Sequence, residues 1–520
     1  SEEGVRAYQE QHNQKMRDAN AASIPLPGGM SAFMSDEMRS NLGNIENIDA
    51  LPAQLQNLLG VLSAAMAEGK LPALGSHKAD KIDEADEIDE TDSSFLDFDR
   101  DLQNTMWQQA ATTLPVLDPE SIDLLTQQTI SDTTPGTILR DFQCLLDAIG
   151  EKGTAVSNKQ NTLPASLLAK LNQQLSDPIQ INMQRPVQKS YPNINGLYML
   201  LRATGIGQIT GKGSKRFLVL DPTLFNSWKS LNPTEQYFSL LEAWLIRASQ
   251  EILGDHRSPF NEGTKCVKYW SMQLEKGSKF KGYAEQQTLN YWPELHNLAL
   301  LKLFGLLEVE SGKPESGKGW RIKQVKPLPF GKALMQAVMQ TFLAKDMLWE
   351  FEEDPTLPYG ELQPTLQPYF PEWQNSLTVP AHTFRTGVHI FKVSLDPKIW
   401  RRIAISAERP LADLSDLILE AFEFDSDHLD MFLYKDYMGR TLEIKHPYTE
   451  EPPITTEVQI GDVPIAVGNN MTYVFDFGDW WEFEVQLEQV KSEDTRVDCE
   501  EILEAHGAAP PQYPIWDEDE

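Results

Sequence analysis

Two stretches of this chain, 100 residues apart, carry the same order of residue types. The first reads Leu197-Tyr198-Met199-Leu200-Leu201-Arg202-Ala203-Thr204-Gly205, then Ile206 to Ile209, a basic turn from Gly211 to Arg216, and Phe217-Leu218-Val219-Leu220. The second reads Leu298-Ala299-Leu300-Leu301-Lys302-Leu303-Phe304-Gly305, then Leu306 to Val309, a Gly/Lys/Pro/Ser turn over 311–319, and Trp320-Arg321-Ile322-Lys323. Each predicts a helix, a glycine stop, a short strand, a glycine-rich basic turn, a second strand and a closing helix. Glycine ends a helix because it enters the left-handed region without a Cβ penalty. Two short apolar strands around such a turn predict a β-hairpin. The middle of the chain is therefore expected to hold two similar units in tandem.

That element order resembles a winged-helix unit, with the hairpin as the wing and the preceding helix in the recognition position. The charge pattern agrees with a polyanion partner. The whole chain is at −32, yet residues 185–345 carry 22 Lys and Arg against 12 Asp and Glu. Lys212, Lys215 and Arg216 in the first turn, with Lys313, Lys318, Arg321 and Lys323 in the second, are the candidate phosphate contacts. Such contacts position a protein on a duplex by charge without reading its sequence. Lys189, Arg202, Lys276, Lys279 and Lys281 would enlarge the patch if they share its face. The competing reading is a protein–protein module whose lysine-rich turns are solvated surface.

At 520 residues the chain is long enough for about three domains. A helical region is expected over 1–75, an acidic linker over 76–99 and a helical domain over 100–184. Winged-helix-like units are placed at 185–255 and 256–345, a Pro- and aromatic-rich connector at 346–380, an α+β domain at 381–515 and an acidic tail at 516–520. Helices are expected over Thr137 to Ile149, Leu163 to Leu175, Pro233 to Ser249 and Gly331 to Phe342, from their apolar periodicity. Three scattered cysteines, Cys144, Cys266 and Cys499, form no CxxC pair and fit a reducing compartment. No 18-residue apolar run appears and the first residues are polar, so a cytoplasmic location without membrane contact is expected.

In the C-terminal part, strands are expected at Val388–Leu395, Ile399–Ser406, His428–Tyr434, Thr456–Ile460, Thr472–Phe477 and Trp481–Leu487, with a helix over Leu411–Phe422. This predicts ββαβ followed by further strands, mostly antiparallel. The whole chain is thus expected to be a multi-domain α+β protein, mainly helical in its N-terminal half. Four motifs stand in order here. They are Pro397-Lys398-Ile399-Trp400-Arg401-Arg402-Ile403, Leu414-Ser415-Asp416-Leu417-Ile418, Asp427-His428-Leu429, and Tyr473-Val474-Phe475-Asp476-Phe477-Gly478-Asp479-Trp480-Trp481-Glu482. They resemble the plasmid pRiA4b ORF-3-like family, some of whose members are labelled insertion-element passenger proteins. The resemblance implies a fold and an association with mobile elements, and no defined reaction. Two family features differ: Phe483 stands where a histidine is common, and Ala509-Pro510-Pro511-Gln512-Tyr513 replaces a cysteine-containing ending.

His428, Asp476 and Asp479 are a candidate site at one end of this sheet; Asp425 and Asp427 lie beside His428 in the sequence. Convergence would suit acid–base work or a divalent metal; ordinary turn and cap residues would look the same. Arg401 is expected either to stack on aromatics near Trp480-Trp481 or to contact an anion. Walker, HExxH, GxSxG and kinase signatures are missing, and neither a cofactor nor a metal site is expected. The function expected first is a non-enzymatic nucleic-acid-associated protein that holds duplex DNA in its middle and recruits a protein through its C-terminal domain. The alternatives are an interaction scaffold whose winged-helix units pack on each other, and a metal-dependent enzyme in the C-terminal domain. An acidic segment, 80–92 or 517–520, folding back on the basic patch is a further expectation of the charge map.

Overall fold

The computed structural model describes residues 117–157, 160–212, 215–254, 261–271, 277–344, 359–379, 382–449 and 451–513. All belong to the second of two units, Ser1–Leu114 and Pro115–Glu520, into which the chain divides. The expected helical region 1–75, both acidic segments and the tail lie outside the described residues. The architecture is mixed α+β with several antiparallel sheets, as expected. No helix among the described residues is long and apolar enough to cross a membrane.

Helix α1 (Pro119–Gln127) opens on Asp118, whose side chain accepts the Ser121 N–H at 2.8 Å. Helix α2 (Ile138–Ile149) follows the periodicity that predicted it, with Ile138, Phe142, Leu145, Leu146 and Ile149 all buried. Then come β1 (Thr154–Ala155), α3 (Ala165–Gln174), α4 (Pro192–Ala203) and the hairpin β2 (Gly207–Lys212) and β3 (Lys215–Leu220), with strand order β1-β3-β2. After α5 (Pro222–Ser230), α6 (Pro233–Glu242) starts at a capping box between Asn232 and Glu235. It continues not as the α-helix expected to Ser249 but as a π-helical turn, Ala243–Arg247.

The pattern then repeats. Helix α7 (Glu262–Ser271), β4 (Ser278–Lys279), a 3-10 turn (Glu285–Asn290), α8 (Leu295–Leu303) and the hairpin β5 (Leu307–Ser311) and β6 (Ile322–Pro327) form a sheet of order β4-β6-β5. Helix α9 (Pro329–Ala344) closes the unit. Because β1 pairs with β3, the first repeat reaches back past the boundary drawn at residue 185. A two-residue strand carries no periodicity, so that extension had no local signal.

The glycines that end the paired helices adopt matching left-handed conformations, with φ of 75° at Gly205 and 74° at Gly305. Helices α4 and α8 pack on each other. Every residue of α4 is buried, and a Cβ at Gly196 would lie 2.8 Å from Leu300 Cγ and 3.1 Å from the His296 carbonyl oxygen. Glycine is what lets the two backbones come this close.

The described part of the connector, residues 359–379, is pinned along α6. Trp373 stacks on Phe238 with ring centroids 4.3 Å apart. Glu242 accepts the N–H groups of Gly360 and Leu362 at 2.7 and 2.8 Å, and Glu235 accepts both donors of Asn375.

Beyond it stand β7 (Val388–Asp396), β8 (Ile399–Ser406), helix α10 (Leu411–Phe422), β9 (Asp430–Lys435), β10 (Thr441–Lys445), β11 (Asn470–Phe475), β12 (Trp481–Lys491) and β13 (Glu500–His506). They form one seven-stranded antiparallel sheet in the order β10-β9-β11-β12-β7-β8-β13. The strand expected over Thr456–Ile460 is not formed; that segment contributes an isolated bridge, Pro410 to Gln459, and a 3-10 turn at Ile460–Asp462. The β9–β10 hairpin plugs into the helical body. Arg202 Nη2 donates to the carbonyls of Tyr437 and Met438 at 3.2 and 2.7 Å, Arg247 Nη2 donates to Tyr437 Oη at 2.6 Å, and Glu251 accepts the Thr441 N–H at 2.7 Å.

Candidate functional site

The basic turns divide into exposed and committed side chains. Lys212 pairs in register with Lys215 at the end of the first hairpin, and the Lys215 side chain is exposed. Arg216 is half-buried, with Nη1 donating to Asn161 Oδ1 at 3.2 Å. In the second unit Lys313 and Lys318 are exposed, Lys318 over the Tyr283 ring at 5.2 Å, while Lys323 is exposed and paired with Glu310.

Arg321 departs from the expectation. It is buried, donates to Phe280 O at 2.9 Å and Gln286 Oε1 at 3.0 Å, and pairs with Glu315 at 3.1 Å. The cause is a register shift between Glu310 and Ser311, opposite Ile322, which leaves Arg321 and Ile322 buried side by side. Arg202, expected to extend the patch, is buried under the β9–β10 hairpin, whereas Lys279 and Lys281 are exposed.

In the C-terminal domain, His428 and Asp476 do meet. His428 Nε2 lies 3.5 Å from Asp476 Oδ2, 3.9 Å from Asp427 Oδ2 and 3.1 Å from Tyr513 Oη. Tyr513 donates to Asp427 Oδ2 at 2.7 Å, and Gln512 binds both Asp427 and the Asp425 backbone. This hydrogen bond holds the Asp427 carboxyl below the usual range and pushes the Tyr513 phenol up to about 12. Asp476 turns the chain at φ 56°, its Oδ1 accepting the N–H groups of Gly478 and Asp479 at 2.9 and 3.3 Å. Asp479 projects into solvent. The Gln512-Tyr513 ending, which differs from the family's, is thus what closes this end.

Arg401 does not join them. It is buried, stacks on Phe422 at 4.6 Å and donates to the carbonyls of Ala421, Trp400, His506 and Gly507. Its charge caps the C-terminal end of α10, where a cation is favoured. The expected contact with Trp480-Trp481 is replaced by Phe422, and the anion contact by four carbonyls. Ser415 and Tyr473, from the family-like motifs, tie α10 to the sheet: Ser415 Oγ lies 2.6 Å from Tyr473 Oη and bonds Asp430. Phe483, in the histidine position, is buried core against Phe422 at 4.9 Å.

One cluster had no signal in the sequence. Glu262 on α7, fully buried, accepts from His296 Nε2 at 2.9 Å and Lys265 Nζ at 3.0 Å, and bonds Asn297. Glu294 pairs with Lys265 at 3.1 Å from a backbone at φ 78°, and Asn297 Oδ1 accepts the Trp244 indole N–H at 2.7 Å. Burial pushes the Glu262 carboxyl up, but His296 and Lys265 outweigh it and hold it at about 2. Among the described residues no three His, Cys, Asp or Glu side chains form a group that could hold a metal ion.

No curated protein matches the chain. Among solved structures, the crystal structure of a protein of unknown function from Methanosarcina mazei Go1 is similar at 26% identity, over 25% of this chain and 74% of that one, with a TM-score of 0.22. Residues 387–513, the seven-stranded domain with its His428 and Asp476 end, match the family model of the plasmid pRiA4b ORF-3-like protein.

Proposed function

We propose that this chain is a non-enzymatic interaction scaffold, in which two winged-helix-like units are spent on each other and the plasmid-family domain presents a partner surface. The observation that carries the reading is the mutual burial of α4 and α8. In a duplex-reading winged helix, the helix before the hairpin enters the major groove, so its outer face must be free. Here α4 has no exposed residue, and Gly196 sits against α8. The winged-helix reading itself is supported by the repeated element order and the matching strand orders β1-β3-β2 and β4-β6-β5. The plasmid-derived family supports a setting among mobile elements.

The test is a titration of the full chain with duplex DNA across a salt series. The scaffold reading expects no salt-dependent binding. Binding whose affinity falls with salt at a slope of about −0.9 per phosphate neutralised overturns it. That result would favour a second reading, backbone contacts from the exposed Lys215, Lys313 and Lys318 with no base readout.

A further inference from the structure

Where the first repeat meets the basic turn of the second, the chain leaves a cavity of about 470 Å³. Asn172 on α3 builds one wall. Its Oδ1 accepts the Ile179 N–H at 3.1 Å and its Nδ2 donates to the Ile179 carbonyl at 3.0 Å, which holds residues 179–182 beside the helix. The same segment is tied to the second turn, where the Gly317 N–H donates to Asn182 O at 2.7 Å. Pro314 of that turn lines the cavity, as does Tyr191, the residue that opens α4 and is only 6% exposed.

The lining holds polar groups that the fold does not use. The side-chain amides of Gln173, Gln180 and Asn182 bond no other described residue, and Gln180 and Ile181 make no backbone hydrogen bond among them. A tyrosine as buried as Tyr191 ordinarily finds a partner for its hydroxyl. Here the hydroxyl bonds no described residue and is not sealed among protein atoms, so it opens on the cavity. No aspartate, glutamate, lysine or arginine lines the space, so a charged ligand would lose hydration on entry and gain no counter-charge. Amides and hydroxyls both donate and accept, and match a ligand whose own groups do both. Ala169, Ile181 and Pro314 add aliphatic surface, while no aromatic other than Tyr191 is there to stack a planar base. The volume falls in the range of ~300–1,000 Å³ common to small-molecule sites.

We propose that this cavity binds an uncharged mono- or disaccharide, its hydroxyl groups bonded by Gln173, Gln180, Asn182 and Tyr191 and its C–H face lying on Ile181 and Pro314. Sugar hydroxyls are donor and acceptor at once, as the four unused side chains are, and they carry no charge for the lining to balance. The proposal goes beyond the scaffold reading and does not depend on it.

The test titrates the full chain with glucose, maltose and N-acetylglucosamine, read by ligand-detected nuclear magnetic resonance, with glucuronate and glucosamine as charged counterparts. At least one neutral sugar is expected to bind, and more tightly than either charged one. Tyr191→Phe and Gln180→Ala are each expected to weaken that binding about threefold to tenfold, the worth of one net hydrogen bond. The Tyr191 hydroxyl bonds nothing in the described chain, so Tyr191→Phe should keep the wild-type thermal midpoint, and lost binding is then not lost folding. Asn469→Ala, which removes an exposed amide from the sheet domain, is expected to leave binding unchanged. The proposal is overturned if no neutral sugar binds, which would make the cavity a water-filled groove, or if a charged sugar binds as tightly as the neutral ones. It is equally overturned if both site variants bind as wild type does, or if Asn469→Ala weakens binding as they do. The duplex titration is independent: DNA binding there overturns the scaffold reading whatever the sugars do, and failure of the sugars leaves that reading standing.

Discussion

The tandem helical units and the C-terminal sheet domain manage charge in opposite ways. Residues 185–345 are net basic, yet several of their ionic groups are inside: Glu262, Lys265 and His296 compensate one another between α7 and α8, and Arg321 is bonded inward. The sheet domain is net acidic and pairs several surface carboxylates with arginines along β8 and β13, while Asp430 and Asp476 are the acids it buries. A segment's net charge is therefore a poor guide to its surface. What matters is which charges folding has already paired.

The sharpest way to break this contrast is to unbalance the buried network. Glu262→Ala leaves Lys265 and His296 without that carboxylate and is expected to cost about 3–5 kcal/mol. A large fall in the thermal midpoint checks it, and a midpoint within a degree or two of wild type would break the contrast. The pH dependence carries a sign as well. Glu262 is held at about 2 against an ordinary 4.5, so its contribution is present above 4.5 and lost as pH falls through that window. The variant should lose that part of the acid sensitivity.

In the sheet domain the corresponding cation is Arg401. Truncating it to alanine removes a buried cation that donates to carbonyls at the ends of α10 and β13 and is expected to cost about 1–3 kcal/mol. Hydrogen exchange should rise in β8, β13 and α10 and stay unchanged in α4 and α8. A rise in both regions would show that the hairpin contacts of Arg202 and Arg247 make the two regions one cooperative unit.

How far the sequence reached follows the range of the interactions. Helix α2, strand β8 and helix α10 were legible because each is set by its own periodicity, and the paired hairpins by their glycines. Strand β13 was missed because Glu500–His506 is exposed on almost every residue, and its existence depends on pairing with β8. The Thr456–Ile460 alternation misled because its backbone serves the start of α10, Val458 O accepting the Leu411 N–H at 2.9 Å. Of the candidate site, His428 and Asp476 came from local motifs. Tyr513 closing on Asp427, and His296 reaching Glu262, are pairings between distant segments that no local pattern encodes.

A smaller effect tests the strap between the two regions. Glu242 is pushed up to about 7 by burial, against the pull of the Gly360 and Leu362 N–H groups. A raised carboxyl favours the folded state below its unfolded value of 4.5, and that contribution is lost as pH rises through about 7. Glu242→Gln should flatten stability across this window by on the order of 1 kcal/mol, read from denaturant midpoints at both ends. An unchanged slope would remove Glu242 as its source.

The smallest expected effect on folding is at the exposed turns, and it bears most on function. Lys313→Gln with Lys318→Gln touches no buried partner, so stability should stay within ~0.5 kcal/mol of wild type. Any change must then appear in binding. If the turns are solvated surface, as the scaffold reading holds, the duplex titration shows nothing in either protein. If they grip phosphates, the variant's salt slope drops by about 0.9 per contact removed while its fold is intact. The same pair of lysines thus separates charge that folding has left over from charge kept for a partner.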